Sequence, residues 1–167
     1  MDSLTPNKTK LRIDHRTGKE QVQWTFTGGS TTPPPAIGDP TATDSYTLCA
    51  YDESGESPDL VLHAAAEGGT TCDTKPCWRA TGASGFTYKD RAGTSDRVTL
   101  LQIHGGAEGK TKAKARVVGD ALEATRPLAL PMRIQLQATT GACWEATYDA
   151  AGAKNNDAER FSGVAAD

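Results

Sequence analysis

From Met132 to Ala138, apolar Met132, Ile134, Leu136 and Ala138 alternate without a break with polar Arg133, Gln135 and Gln137. A period of two sends successive side chains to opposite faces of an extended strand, so one face of this segment belongs to a core and the other to water. The same period returns in Gln21 to Thr27, in Lys110 to Val118 and in Ala142 to Asp149. Helical spacing finds little room: Ala121 to Leu130 has helix-forming residues, but Pro127 and Pro131 restrict it to a helical turn at most.

Six further segments read as strands: Leu11 to Arg16, Ser45 to Tyr51, Asp59 to Ala64, Pro76 to Thr81, Phe86 to Asp90 and Val98 to His104. Twenty-two threonines scattered among Val, Ile, Leu and aromatic residues suit a pleated, half-buried surface. Glycines and prolines fall between the segments at strand length, and the longest irregular piece, Gly28 to about Thr43, contains four prolines. About ten short strands predict an all-β fold, an antiparallel β-sandwich or jelly roll. The 167 residues suit one domain over 1–167, with the polar ends 1–9 and 152–167 expected to be flexible.

Charge narrows the partners. Eighteen Lys and Arg against twenty-one Asp and Glu give a net charge of -3, which lacks the broad positive field of a nucleic-acid packager, so nucleic acid is excluded as a partner. No stretch approaches the ~18 apolar residues of a membrane span.

Four cysteines, Cys49, Cys72, Cys77 and Cys143, lack the paired spacing of a zinc ribbon, so two disulfides and a secreted or cell-surface location are expected. Four cysteines allow three connectivities, and the working assignment is 49–72 with 77–143. Alternation turns Trp144, Ala146 and Tyr148 inward and Cys143 outward, and it sets Cys77 opposite Trp78. Met1 to Lys8 has neither a basic head nor an apolar run, and reads as the start of a mature fragment. Cys77-Trp78-Arg79-Ala80-Thr81 and Cys143-Trp144-Glu145-Ala146-Thr147 share Cys-Trp-x-Ala-Thr, which reads as two related strands anchoring a core tryptophan beside a cysteine.

These two segments, with Leu48-Cys49-Ala50-Tyr51-Asp52, Gly85-Phe86-Thr87-Tyr88-Lys89-Asp90 and Gly109-Lys110-Thr111-Lys112-Ala113-Lys114, cover about residues 10–150. Together they resemble an uncharacterised cysteine-bearing β-rich module of secreted proteins and lipoproteins of myxobacterial and related deltaproteobacterial type. The resemblance implies an extracellular accessory domain, one of several in a longer parent chain. It brings no catalytic residues with it.

Catalytic signals are sparse. Gly82-Ala83-Ser84-Gly85-Phe86 has phenylalanine where a nucleophile elbow needs its second glycine, and reads as a hairpin turn. His15, His63 and His104 lie far apart with no second histidine or carboxylate at ligand spacing, so no metal site is assigned. The acidic loops Asp52 to Asp59 and Asp90 to Asp96 offer oxygens to calcium but match no EF-hand, and no other cofactor is implied.

The sharpest surface feature is the basic stripe Lys110, Lys112, Lys114 and Arg116, whose alternation with Thr111, Ala113, Ala115 and Val117 puts four cations on one face of a strand. Such a ladder suits an acidic glycan or an acidic protein surface; it also suits an edge strand, where lysines deter pairing with other chains. Tyr51 and Tyr88 are the aromatic residues expected to be exposed for stacking on sugars. The reading is a non-enzymatic secreted accessory, adhesion or binding module. The alternative is a small extracellular hydrolase or metal-dependent enzyme built on His63 or His104 with loop carboxylates.

Overall fold

The computed structural model describes residues 8–166. In chain order the strands are β1 Lys10–Asp14, β2 Gln21–Thr27, β3 Tyr46–Asp52, β4 Asp59–Ala66, β5 Thr71–Cys72, β6 Lys75–Pro76, β7 Trp78–Ala80, β8 Gly85–Lys89, β9 Val98–His104, β10 Lys112–Val118, β11 Met132–Ala138, β12 Cys143–Tyr148, β13 Ala153–Asn156 and β14 Arg160–Val164. One helical turn, α1 Pro34–Ile37, interrupts the loop between β2 and β3. The strands form a sandwich of an eight-stranded sheet, ordered β13-β14-β1-β2-β10-β9-β8-β7, and a four-stranded sheet, ordered β12-β11-β3-β4, with the small β5-β6 hairpin outside both. The pairings are antiparallel.

Alternation places the core. Val22, Trp24 and Phe26 of β2, Ala113, Ala115 and Val117 of β10, and Leu101 and Ile103 of β9 face inward from the larger sheet, while Met132, Ile134 and Leu136 of β11 and Trp144, Ala146 and Tyr148 of β12 face them from the smaller one. Large and small residues alternate across strands: Trp24 lies opposite Ala115 and Phe26 opposite Ala113. Alanine there leaves volume for the rings, which lets a sandwich with three buried tryptophans close to native density. Aromatic contacts run on through Tyr46, 5.5 Å from Trp78 and 6.3 Å from Trp144 between ring centroids.

Three expectations need correction. The tail does not fray: β13 and β14 pair with each other, and β14 pairs with β1, burying Phe161. Its alternation Arg160-Phe161-Ser162-Gly163-Val164 is short, with glycine at one of the inward positions, which hid a strand that exists by pairing with β1. The expectation for residues 1–9 falls mostly outside the described residues, although Thr9 is buried and exchanges hydrogen bonds with the backbone of Thr27. The helical turn sits in the proline-rich loop, with Pro34 and Pro35 opening it, and Ala121 to Leu130 is irregular.

The cysteines are the third correction. One disulfide forms, Cys72–Cys77, spanning the β5-β6 hairpin with 5.0 Å between Cα atoms, while Cys49 and Cys143 are free thiols. Cys49 lies opposite Gln135 and Cys143 opposite Gln137, on the two flanks of β11. A whole strand therefore separates them, a gap of roughly 10 Å that exceeds the ~7 Å Cα reach of a disulfide. Neither 49–72 nor 77–143 is formed. A disulfide is compatible with a location outside the cytoplasm.

The rim of the smaller sheet is occupied along β4. Asp96 accepts the Ala65 amide at 3.0 Å, Ser95 donates to the Ala65 carbonyl at 3.3 Å, and the Glu123 amide bonds the Val61 carbonyl at 2.8 Å.

Candidate polyanion-binding face

Lys112, Lys114 and Arg116 of β10 point away from the core and are exposed, as their alternation requires. Lys110 is exposed too, but it precedes the strand, in a turn closed by its amide on the Ala107 carbonyl. β10 is an interior strand, bonded on one side to β2 and on the other to β9. The cations therefore stand in the middle of the larger sheet and guard no edge, which removes the edge-strand explanation of the stripe.

Register extends the stripe into a field. Reading across the strands, Lys114 is followed by Thr25 and Lys10 on one side and by Gln102, Thr87 and Arg79 on the other. The next row runs Lys89, Leu100, Arg116, Gln23, Arg12 and Ser162. With Lys112 and Arg160, the outward positions hold eight cations: Lys10, Arg12, Arg79, Lys89, Lys112, Lys114, Arg116 and Arg160. Asp14 is the carboxylate among the outward residues of these strands, and Arg16 grips it with two side-chain hydrogen bonds of 2.9 and 2.5 Å. Those bonds hold Asp14 well below the ordinary carboxylate range, so it is ionised and already matched. Glu108 accepts the Thr31 amide, and Asp120 pairs with Arg126, so neither acid flanking the stripe is directed at it.

The face has relief. A hollow of about 360 Å³ is bordered by Thr25, Thr27, Gln102, His104, Lys112 and Lys114, and a second of about 420 Å³ by Arg12, Asp14, Arg16, Gln21, Gln23 and Arg160. Gln21 fixes the ground between them, since its Oε1 accepts both Arg116 Nε at 2.9 Å and Gln23 Nε2 at 3.0 Å. His104 stands opposite Gly85, where a Cβ would come within 2.4 Å of His104 Nδ1; glycine there is what gives the imidazole its place.

The opposite face of the molecule differs in kind. On the smaller sheet Arg133 bonds Glu53 at 2.6 Å and approaches Glu145 at 3.5 Å, and Glu145 accepts Gln135 Nε2 at 2.7 Å. Arg133, Glu53 and Glu145 are thus matched among themselves. Tyr51 belongs to this lattice: it is half-buried, with the Arg133 guanidinium 4.7 Å from its ring centroid, so one ring face is covered. Tyr88 is buried against Trp78 at 5.2 Å, and burial pushes its phenol up to about 12. Its register is inward, opposite Leu101, which corrects the expectation of an exposed stacking ring.

The histidines proposed for an enzyme lie on different sheets. His63 is exposed on β4 opposite Cys49, and His104 is exposed on β9. Of the loop carboxylates, Asp52 accepts the Ser54 amide and Asp90 accepts Ala92 N, Thr94 N and Thr94 Oγ1 within their own loops, while Glu53 is bonded by Arg133 and Asp96 by the Ala65 amide. Among the described residues, no three His, Cys, Asp or Glu side chains converge to hold a metal ion, and no helix is long and apolar enough to cross a membrane.

Sequence reading located the stripe but missed Lys10, Arg12, Arg79, Lys89 and Arg160. Lys10-Leu11-Arg12 carries the same alternation as β10 and was legible as a basic strand face. That β1 and β10 flank β2 on one sheet was not legible, because strand order is set by contacts between distant segments. No family model, no curated protein and no solved structure matches the chain, so the reading of its function rests on this face.

Proposed function

We propose that the protein is a secreted, non-catalytic binding module that holds a polyanion on the outer face of its eight-stranded sheet. The observation that carries this reading is the register of eight cations on one face, with a single carboxylate already paired to Arg16, in a chain whose net charge is -3. Concentrating positive charge against the overall sign of the molecule creates a local attractive potential for an anionic surface. The hydrolase alternative needs a histidine held by an acid inside a pocket; His63 and His104 are exposed and on separate sheets. The resemblance to a secreted accessory module supplies an extracellular setting and a longer parent chain.

Binding to immobilised dextran sulfate tests the reading. The wild-type protein is expected to bind at low salt and more weakly at physiological salt. The double variant Lys112→Glu, Lys114→Glu loses binding and keeps its melting temperature, because exposed charges contribute little to stability. Equal binding by the two proteins removes this face as a site.

A further inference from the structure

Resting on that reading, we propose the ligand class: an acidic polysaccharide carrying one carboxylate per disaccharide, lying across the strands along the row Lys89, Arg116 and Arg12. These three residues belong to β8, β10 and β1, and each is two strands from the next, with neutral Leu100 and Gln23 on the strands between. Two strand spacings amount to about 10 Å. On its β1 side the neighbouring row repeats the step, with Lys114 and Lys10 flanking neutral Thr25, while on the other side Arg79 stands three strands from Lys114, beyond Gln102 and Thr87. The two-strand interval thus occurs three times on the face, twice in the row of Arg116 and once in the row of Lys114.

A ligand gains most when its charges fall at that interval, and two pyranose units of an extended chain cover about the same distance. A polymer charged on alternate sugars therefore meets a cation at each charge and a neutral residue at each uncharged sugar. A strand of duplex DNA, with one charge per ~3.4 Å of helix axis, presents most of its phosphates to neutral residues. Gln23, Thr25 and Gln102 lie between the cations as amides and hydroxyls suited to sugar hydroxyls. Single-stranded nucleic acids also need aromatic platforms. The outward positions of β8, β9, β10, β2 and β1 hold no phenyl, phenol or indole ring, because Trp24, Phe26 and Tyr88 turn inward, and Phe86, half-buried at the border of the first hollow, shares the register of Tyr88 and packs against the core.

The test compares dissociation constants, per charge and at equal ionic strength, for hyaluronate (charged on alternate sugars), polygalacturonate (charged on each sugar) and a single-stranded oligodeoxynucleotide. Hyaluronate is expected to bind tightest, with Arg12→Gln and Lys89→Gln each weakening it up to about fivefold, and Lys75→Gln, on the outlying β6, leaving it unchanged. Gln23→Lys fills a neutral position and is expected to move the preference toward polygalacturonate. Leu100→Lys does the same on the other side of Arg116, and if it fails to fold, Gln23→Lys decides alone.

An order set by charge density alone, tightest binding to the oligonucleotide, or an unchanged order in Gln23→Lys overturns the spacing inference and leaves the cationic face standing. Failure of all three polymers and of dextran sulfate to bind overturns both.

Discussion

The indole Nε1 of Trp24 on β2 donates a 2.9 Å hydrogen bond to the hydroxyl of Tyr148 on β12, joining the two sheets through the middle of the core. Both side chains are fully buried. A buried donor and a buried acceptor that meet cost little, whereas either one left alone bears its full desolvation penalty. The pair therefore fixes how the sheets face each other as well as satisfying two polar atoms.

Tyr148→Phe tests that role. It keeps the ring and strands the Trp24 indole N–H, with an expected loss of about 1–3 kcal/mol. Urea unfolding followed by tryptophan fluorescence measures it, and an unchanged midpoint shows that the contact does not contribute.

Trp144→Ala is expected to cost more, about 3–5 kcal/mol, because it empties a large buried volume beside Tyr46. Calorimetry on the purified variant gives the figure. A loss below 1 kcal/mol would mean that the β11-β12 hairpin does not press its inward face onto the larger sheet.

The thiols give a chemical count. Unfolding the protein without reductant and alkylating it is expected to label two cysteines, Cys49 and Cys143, with mass spectrometry leaving Cys72 and Cys77 linked. In the native state both are slow to react, since burial pushes each thiol up from its ordinary range and lowers its thiolate fraction. Four protected cysteines would instead require a second bridge and a shift of the strands around β11.

His15 makes stability depend on pH. Its Nε2 is buried without a protein partner, and burial, aided by Arg126, pulls its pKa below the ordinary 6.5. The unfolded chain then binds the proton more readily than the folded one, so stability is highest above about 6.5 and falls as pH drops toward the lowered value. The melting temperature of the wild type is expected to fall between pH 7.5 and 5.5 by more than that of His15→Gln. Equal slopes for the two proteins would place the pH dependence elsewhere.

All ten segments read as strands from alternation are strands, because each has one face in the core, and burial enforces a period that the eye can follow. Signals weakened where burial weakens. β5 and β6 are two-residue pieces in an outlying hairpin, and β13 and β14 extend the larger sheet beyond β1 with only Phe161 as a large buried residue. The site was half legible for a related reason. Lys112, Lys114 and Arg116 share a strand and declare a common face locally, whereas Lys89 and Arg12 join them only through pairings between segments 27 and 104 residues away from Arg116. The cysteines failed as a guide because their even number invites pairing, while distance across β11 forbids it.

The bonds from Ser95, Asp96 and Glu123 onto β4 bear on how copies of this chain behave when crowded. At eight residues β4 is the longest strand, it lies at a rim, and it carries the exposed Leu60. Open backbone groups along such a strand are a template for joining one molecule to the next. Here a side-chain carboxylate, a hydroxyl and a loop amide occupy Ala65 and Val61, positions where a foreign strand would have to dock. Crowded copies of the chain thus have less open backbone along β4 through which to join, and Asp96→Ala, which frees the Ala65 amide, is expected to raise the tendency to associate, as light scattering at high concentration would read.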